Sequence, residues 1–251
     1  MSQSPERVAK LMARRGLCSR REAERLIAAG QVTVNGRVIS EPGAKAVADA
    51  EIVILNEGRT LLAAKLTVVL NKPVGVVSVL PERGQLAAWQ LLRAGNCAAE
   101  IDRATLERVL SEAPTLAVAG RLDRASRGLL LLTQDGTVSR QIIGGKFVAK
   151  TYLVRTTPPA TDTQLLKLCG PLHLDGRRLQ PMRVERAPGH RLRFTLIEGR
   201  KHQIRRVCEK VGLQVTDLCR VAIGPIELGD LREGHWRFLT ERERLQLFAG
   251  D

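Results

Sequence analysis

Aromatic side chains are nearly absent from this chain: four Phe, two Trp and one Tyr in 251 residues. Any core must therefore be aliphatic, and the 44% of hydrophobic residues is enough to build one. Cysteine is sparse and unpatterned. Cys18, Cys97, Cys169, Cys208 and Cys219 share no paired spacing, and an odd count speaks for free thiols rather than a disulfide framework. His173, His190, His202 and His235 are equally scattered, so no metal site is expected. Long apolar runs are missing too, since nothing approaches the roughly 18 consecutive apolar residues that span a bilayer. The opening from Met1 to Glu6 carries no apolar signal-peptide region. These absences predict a soluble, cytoplasmic protein with no membrane partner.

Acid is the charge in short supply. Forty Lys and Arg stand against 26 Asp and Glu, giving a net charge of +14 and a pI near 10.4. An excess of that size points to a polyanionic partner, with nucleic acid favoured over a membrane surface. The length suits one large domain, or a large one with a small one, and a monomer is the default.

The first 25 residues hold seven Lys or Arg against three Glu. Val8, Leu11 and Met12 form one apolar helical face and Gly16 breaks that helix. Ser19 then reads as an N-cap with Glu22 completing a capping box, and Ala23, Leu26 and Ile27 form the next face up to Gly30. Val32 to Ile39 reads as two short strands joined by an Asn35-Gly36 turn. A solvated charged helix face is the plain explanation of the basic residues. The whole arrangement, however, resembles the small RNA-binding module of the ribosomal protein S4 type, above all in Cys18 to Ala23 and Gly30 to Gly36. That resemblance implies phosphate contacts from Arg14, Arg15, Arg20, Arg21 and Arg25, with Lys10 beside them. Residues 1–58 are assigned to this domain, 59–66 to a linker and strand entry, and 67–251 to a second domain. Asn56 to Arg59 reads as linker.

The second domain is organised around Gly120-Arg121-Leu122-Asp123-Arg124-Ala125-Ser126-Arg127-Gly128, with the apolar run Leu129 to Leu132 behind it. That run suits a short buried strand. Asp123 then sits on a tight loop between Arg121 and Arg124, which favour its ionised form. A structural Asp bonded to its own loop is the alternative, and this stretch alone leaves both open. Upstream, Leu66 to Leu70 reads as a buried strand leading to Lys72-Pro73 and Gly75, a stiff turn with a free ammonium. Gln85 to Ala113 suggests one or two helices. Downstream, Lys150, Tyr152 and Val154 alternate onto one strand face, and Tyr152 is the only tyrosine. Residues 171–197 read as three short strands. Glu198 to Val207 is a Gly turn followed by an amphipathic helix with Ile204 and Val207 inward. In it Arg200, Lys201, Arg205 and Arg206 put four positive charges in seven residues with no acid.

Five of these stretches, in this order, resemble the RsuA-type pseudouridine synthases, a family that modifies ribosomal RNA. They are Asn71-Lys72-Pro73 with Gly75, Gly120 to Asp123 with Gly128-Leu129, Lys150 to Val154, Glu198 to Arg206, and Leu218 to Pro225. The resemblance implies an α+β fold: the S4-type domain followed by a catalytic domain on a mixed, mostly antiparallel β-sheet flanked by helices. It implies isomerisation of uridine to pseudouridine in ribosomal RNA, free or in an assembly intermediate, without cofactor or metal. Asp123 matches the family nucleophile, acting on a uridine flipped out of the RNA. Arg205 is implied as its ion-pair partner, Tyr152 as the residue stacked on the base, and Leu218 as packing beneath the ring. Lys72, Arg121, Arg124, Lys150, Arg200, Lys201, Gln203 and Arg206 are implied RNA contacts, Arg124 as a wedge in the gap left by the base. A non-catalytic RNA-binding assembly factor on the same fold is the competing reading. The chain departs from the family pattern in the longer stretch from Gly84 to Thr115, in Arg7-Val8-Ala9-Lys10, and in Arg127, which is expected to add positive charge near the site.

Overall fold

The computed structural model describes residues 4–144 and 148–249, and these form two compact units. One comprises the residues through Thr67 together with Thr133–Arg140; the other comprises Val68–Leu132 and the rest of the chain from Gln141.

The first unit runs β1 (Glu6–Arg7), α1 (Val8–Arg14), α2 (Arg20–Ala28), β2 (Val32–Val34), β3 (Arg37–Ile39), β4 (Lys45–Ala46), β5 (Ile52–Ile54) and α3 (Asn56–Ala63). Helix α2 starts where the sequence says it should. The Ser19 hydroxyl accepts from the Glu22 amide, and the Glu22 carboxylate accepts from the Ser19 amide at 2.6 Å, a reciprocal capping box. Asn35 (φ 49°) and Gly36 (φ 77°) make the hairpin turn between β2 and β3 with both residues left-handed. Val8, Leu11, Met12, Ala23, Leu26, Ile27, Val32 and Ile54 close a small aliphatic core. The expected linker at Asn56–Arg59 is instead the first turn of α3. Gly58 belongs there for a packing reason: a Cβ on it would lie 2.8 Å from Ile54 and 3.1 Å from Gln31.

The second unit runs β6 (Thr67–Lys72), α4 (Arg103–Glu112), β7 (Ala117–Ala119), β8 (Arg127–Thr133), the end of α5 (Gly136–Gly144), whose residues through Arg140 belong to the first unit, β9 (Lys150–Thr157), α6 (Asp162–Cys169), β10 (His173–Leu174), β11 (Arg177–Arg178), β12 (Arg183–Ala187), β13 (Arg191–Leu196), α7 (Gln203–Lys210), β14 (Gln214–Ile223), β15 (Ile226–Glu227), β16 (Trp236–Phe238) and α8 (Glu241–Phe248). Its sheet has the order β12-β13-β9-β14-β8-β6-β16, with β15 on β14 and β7 on β8. The β12/β13, β13/β9, β9/β14 and β16/β6 pairs are antiparallel and β14/β8 is parallel. This is the mixed, mostly antiparallel α+β architecture expected. Leu129 to Leu132 are all buried, so β8 is covered on both faces. Each such leucine contributes roughly 1.5–3 kcal/mol.

One local expectation is corrected: residues 171–197 hold four strands rather than three. Residues 85–113 hold one α-helix, α4, within the one or two expected, preceded by two short 3-10 turns. Residues 214–223 form a single strand, β14, with two register shifts against β9. Those shifts let one long strand change its pairing without a turn.

Candidate active site

The loop from Gly120 to Ser126 joins β7 to β8, and three other segments hold its backbone. Gly120 turns the chain at φ 82°. The Ser78 hydroxyl donates to the Leu122 carbonyl at 2.7 Å and accepts from the Leu122 amide at 3.0 Å. The Gly75 amide donates to the Arg124 carbonyl at 2.9 Å. Arg220, buried on β14, donates to the carbonyls of Gly120 at 2.8 Å, Arg121 at 3.4 Å and Leu129 at 2.7 Å. Arg205, on α7, donates to the carbonyls of Ala125 at 2.7 Å and Val215 at 3.2 Å. Gly128 explains the close seating of β8 on β14, since a Cβ there would lie 2.3 Å from the Arg220 carbonyl oxygen. Asp123 thus stands on a rigid loop, with its side chain 41% exposed.

Its carboxylate faces a cavity of about 500 Å³. Tyr152 and Lys150 on β9, Leu218 and Arg220 on β14, Leu196 on β13 and Ile142 on α5 line it. Arg121 and the stretch from Gly199 to Arg205 complete the wall. Asp123, Tyr152, Arg205 and Leu218, four residues from four separate stretches of sequence, therefore meet at one cavity. Leu218 and Tyr152 belong to the adjacent strands β14 and β9, where Leu218 pairs with Val154 and Arg220 with Tyr152.

The expected direct ion pair between Asp123 and Arg205 is not the observed contact. The side chain near the carboxylate is the His202 imidazole, with Nε2 3.5 Å from Asp123 Oδ1. Arg205 holds the loop's main chain instead, and its buried Nε has no acceptor among the described residues. His202 escaped the sequence reading because its place depends on a left-handed turn (φ 53°) at the start of α7, and a histidine does not announce that conformation. Ser78 and Arg220 were missed for a related reason: each is one polar residue whose partners are distant backbone carbonyls.

The structure sorts the remaining candidates. Lys72 is corrected outright: it is fully buried and donates to the carbonyls of Pro73 at 2.8 Å and Val76 at 2.9 Å, so it is not a free ammonium. Burial lowers its pKa to about 8, although the charges of Asp123 and Glu233 oppose that shift. Gln203 is buried as well, donating to Glu198 at 3.1 Å and accepting from the Arg200 amide at 2.9 Å. Arg200 donates to the carbonyls of Leu174, Arg177 and Arg178, and Arg206 forms a bidentate pair with Asp175. Arg121, Arg124 and Lys201 stay exposed. Arg127 does not add free charge, because it forms a bidentate pair with Asp217, both bonds at 2.8 Å. Lys150 is nine-tenths buried, and burial, then the charge of Arg220, lowers its pKa.

In the other unit Lys10, Arg14, Arg15, Arg20, Arg21 and Arg25 are all exposed. Lys10 and Arg14 pair with Glu6, Arg20 pairs with Glu24, and Arg15 donates to the Ala48 carbonyl at 2.7 Å. Arg21 and Arg25 have no such partner among the described residues.

Residues 66–210 match the model of a family described as RNA pseudouridylate synthase, and residues 6–52 match the S4 domain. A protein of Aquifex aeolicus named an uncharacterized RNA pseudouridine synthase is 33% identical, over 96% of this chain and 93% of its own length. The dual-specificity RNA pseudouridine synthase RluF of Salmonella typhi is 30% identical, over 99% of this chain and 80% of its own. A crystal structure of a pseudouridylate synthase superposes with a TM-score of 0.63 at 26% identity, covering 96% of this chain and 99% of that one.

Proposed function

Because the chain belongs to the RNA pseudouridylate synthase family, we propose that its substrate is ribosomal RNA and that Asp123 acts on a uridine everted into the cavity. The observation that carries this reading is the convergence of one half-exposed carboxylate, the only tyrosine and an apolar floor on a cavity of about 500 Å³. A pyrimidine inside a stacked helix presents neither its sugar C1′ nor its C5, so the base must leave the stack before chemistry can begin. Stacking on Tyr152 and packing on Leu218 offset the few kcal/mol that unstacking costs.

The reaction breaks the C1′–N1 bond and forms a C1′–C5 bond. The ring turns between the two events, C5 loses its proton and N1 gains one, so no atom is added or lost overall. The sugar develops positive charge as the first bond breaks. A carboxylate at the cavity mouth fits that demand, either by adding to C1′ or by taking a sugar proton. Arg205 and Arg220 position it by gripping the main chain on both sides of Asp123, so its approach to the sugar is fixed before RNA binds. The RNA-binding domain, residues 1–58, supplies phosphate contacts from its exposed arginines. Arg121, Arg124 and Lys201 do the same beside the cavity.

The test is pseudouridine mapping by chemical labelling of ribosomal RNA from cells with the gene, without it, and with Asp123→Asn. The modification should vanish in the deletion and in the variant, while the purified variant binds ribosomal RNA as the parent does. Modification that persists in Asp123→Asn would overturn the assignment of the carboxylate. Identical maps with and without the gene would overturn ribosomal RNA as the substrate.

A further inference from the structure

Among the described residues three cations of the sheet unit are buried: Lys72 at 0%, Arg220 at 2% and Lys150 at 9% exposure. Two of them are satisfied by main-chain carbonyls, Lys72 by two and Arg220 by three. Lys150 has neither a hydrogen bond nor an ion pair among the described residues, and it lines the same cavity as Asp123. Burial of this side chain, and then the nearby charge of Arg220, disfavour its charged form in the resting fold. Such a cost is tolerated where the charge has a use, and ionisable groups perturbed by burial and a neighbouring charge concentrate at functional sites.

The position narrows that use. Lys150 lies two residues before Tyr152 on β9, so both side chains leave the same face of the strand. Its strand neighbours are Leu196 on β13 and Ile223 on β14, both apolar. The tyrosine that stacks on the base and the ammonium are thus set side by side. Asp123 reaches the cavity from the opposite side of the sheet order, on the loop entering β8.

Resting on the reading of Asp123 above, we infer that Lys150 is a catalytic residue for the base half of the reaction, its ammonium hydrogen-bonding a uracil carbonyl oxygen and stabilising the anion released when the C1′–N1 bond breaks. When that bond breaks the electron pair stays with the ring, and its charge spreads over N1, O2 and O4. The carboxylate serves the sugar that becomes positive, and the ammonium serves the ring that becomes negative. Lys150 stays protonated throughout; the C5 proton leaves to water and N1 takes one up. In a cavity with an apolar floor, a pre-placed cation acts with little screening, which is where such stabilisation is strongest.

The experiment uses the full-length protein in excess over ribosomal RNA from cells lacking the gene, labelled with tritium at C5 of uridine, with tritium release as the readout. Lys150→Met should lower the single-turnover rate by about 100-fold or more, the scale for removing one preorganised donor. Its affinity for the same RNA should change by less than about threefold. Lys150→Arg should recover part of the rate. The melting temperature of Lys150→Met should hold or rise, since a buried unpaired charge has gone. A second substrate separates chemistry from structure. In RNA carrying 5-fluorouridine the fluorine itself stabilises the ring anion, so the Lys150→Met defect in consumption of that nucleotide should shrink at least about tenfold relative to uridine. A defect equal for both bases, or a Lys150→Met rate within about threefold of the parent, would overturn the role. If Asp123→Asn is inactive while Lys150→Met is not, this inference alone falls. If Asp123→Asn still releases tritium, the reading beneath it falls as well.

Discussion

Lys10, Arg14, Arg15, Arg20, Arg21 and Arg25 lie on the outside of the first two helices, whereas Lys72, Lys150 and Arg220 lie inside the sheet unit. In the outer set Lys10 and Arg20 pair with carboxylates one turn away, Arg14 also pairs with Glu6 and Arg15 donates to the Ala48 carbonyl, all at exposed positions with little cost and little gain. The inner set meets main-chain carbonyls, or in the case of Lys150 no partner among the described residues, and each burial is a strong commitment. The comparison teaches that a net charge of +14 is not one property. Part of it stands exposed on α1 and α2, and part fastens the loop that carries Asp123.

The largest effect should come from Arg220→Met. It leaves the carbonyls of Gly120, Arg121 and Leu129 without their donor, a loss of roughly 3–5 kcal/mol in urea unfolding at about 1–3 kcal/mol for each stranded group, less the guanidinium's own desolvation. Activity should fall with it, because the Asp123 loop loses its inner anchor. A loss below about 1 kcal/mol would show that the buried cations are not structural and would erase the contrast.

Lys72 sharpens the contrast through pH. Its folded pKa, about 8, lies below the ordinary 10.5, so between those values the unfolded chain holds more protons than the folded one. Stability contributed by this residue is therefore complete above pH 10.5 and is lost as pH falls through about 8. The whole swing is about 3 kcal/mol. Cys18 and Cys208, pushed up by burial to about 11 and about 12, tilt the absolute curve the other way. The quantity to read is thus the stability of the parent minus that of Lys72→Met, which should rise from pH 7.5 to 10. A flat difference would mean the ammonium is solvated, as the sequence first suggested.

That first suggestion shows what one sequence can display. Helix α2 with its capping box, the Asn-Gly hairpin and the four-leucine strand were all legible, because each is decided by residues within one turn or one strand of each other. The meeting of Asp123, Tyr152, Arg205 and Leu218 was legible only through resemblance, since nothing local connects residues so far apart. What stayed hidden was partner choice. Arg205 holds carbonyls rather than the carboxylate, His202 stands where Arg205 was expected, and Arg127 binds Asp217. A sequence displays that a guanidinium is present, but its acceptor is fixed by main-chain carbonyls that every residue carries alike. The Gly58 helix was read as linker for the same reason: glycine signals a turn and a close approach equally well.

Within the first unit one charge breaks the pattern and gives a smaller test. Glu22 and Lys65 pair at 2.6 Å with side chains only 11% and 13% exposed, and Glu22 also accepts from the amides of Ser19 and Gly136. Burial raises its pKa, but the Lys65 ammonium and these donors outweigh burial and hold it below the usual carboxylate value. Glu22→Gln should cost about 2 kcal/mol at neutral pH, as a charge-assisted network becomes a neutral one. The difference should narrow in acid, because stability from a carboxylate with a lowered pKa is lost as pH falls through its folded value.

The smallest effect on the fold is expected where the effect on binding is expected to be clean. Arg21 and Arg25 are exposed on α2, whose inward face is Ala23, Leu26 and Ile27, and neither has an ion-pair partner among the described residues. Arg21→Ala with Arg25→Ala should therefore shift unfolding by less than about 0.5 kcal/mol. If each arginine neutralises a phosphate, the plot of log affinity for ribosomal RNA against log salt should flatten by roughly 0.7–0.9 per residue, about 1.5 for the pair. The rate at saturating RNA should not move, because neither side chain lines the cavity. Loss of rate at saturation without any change in salt slope would reverse the comparison, making the outer cations part of the chemistry and leaving the polyanion surface to be sought elsewhere.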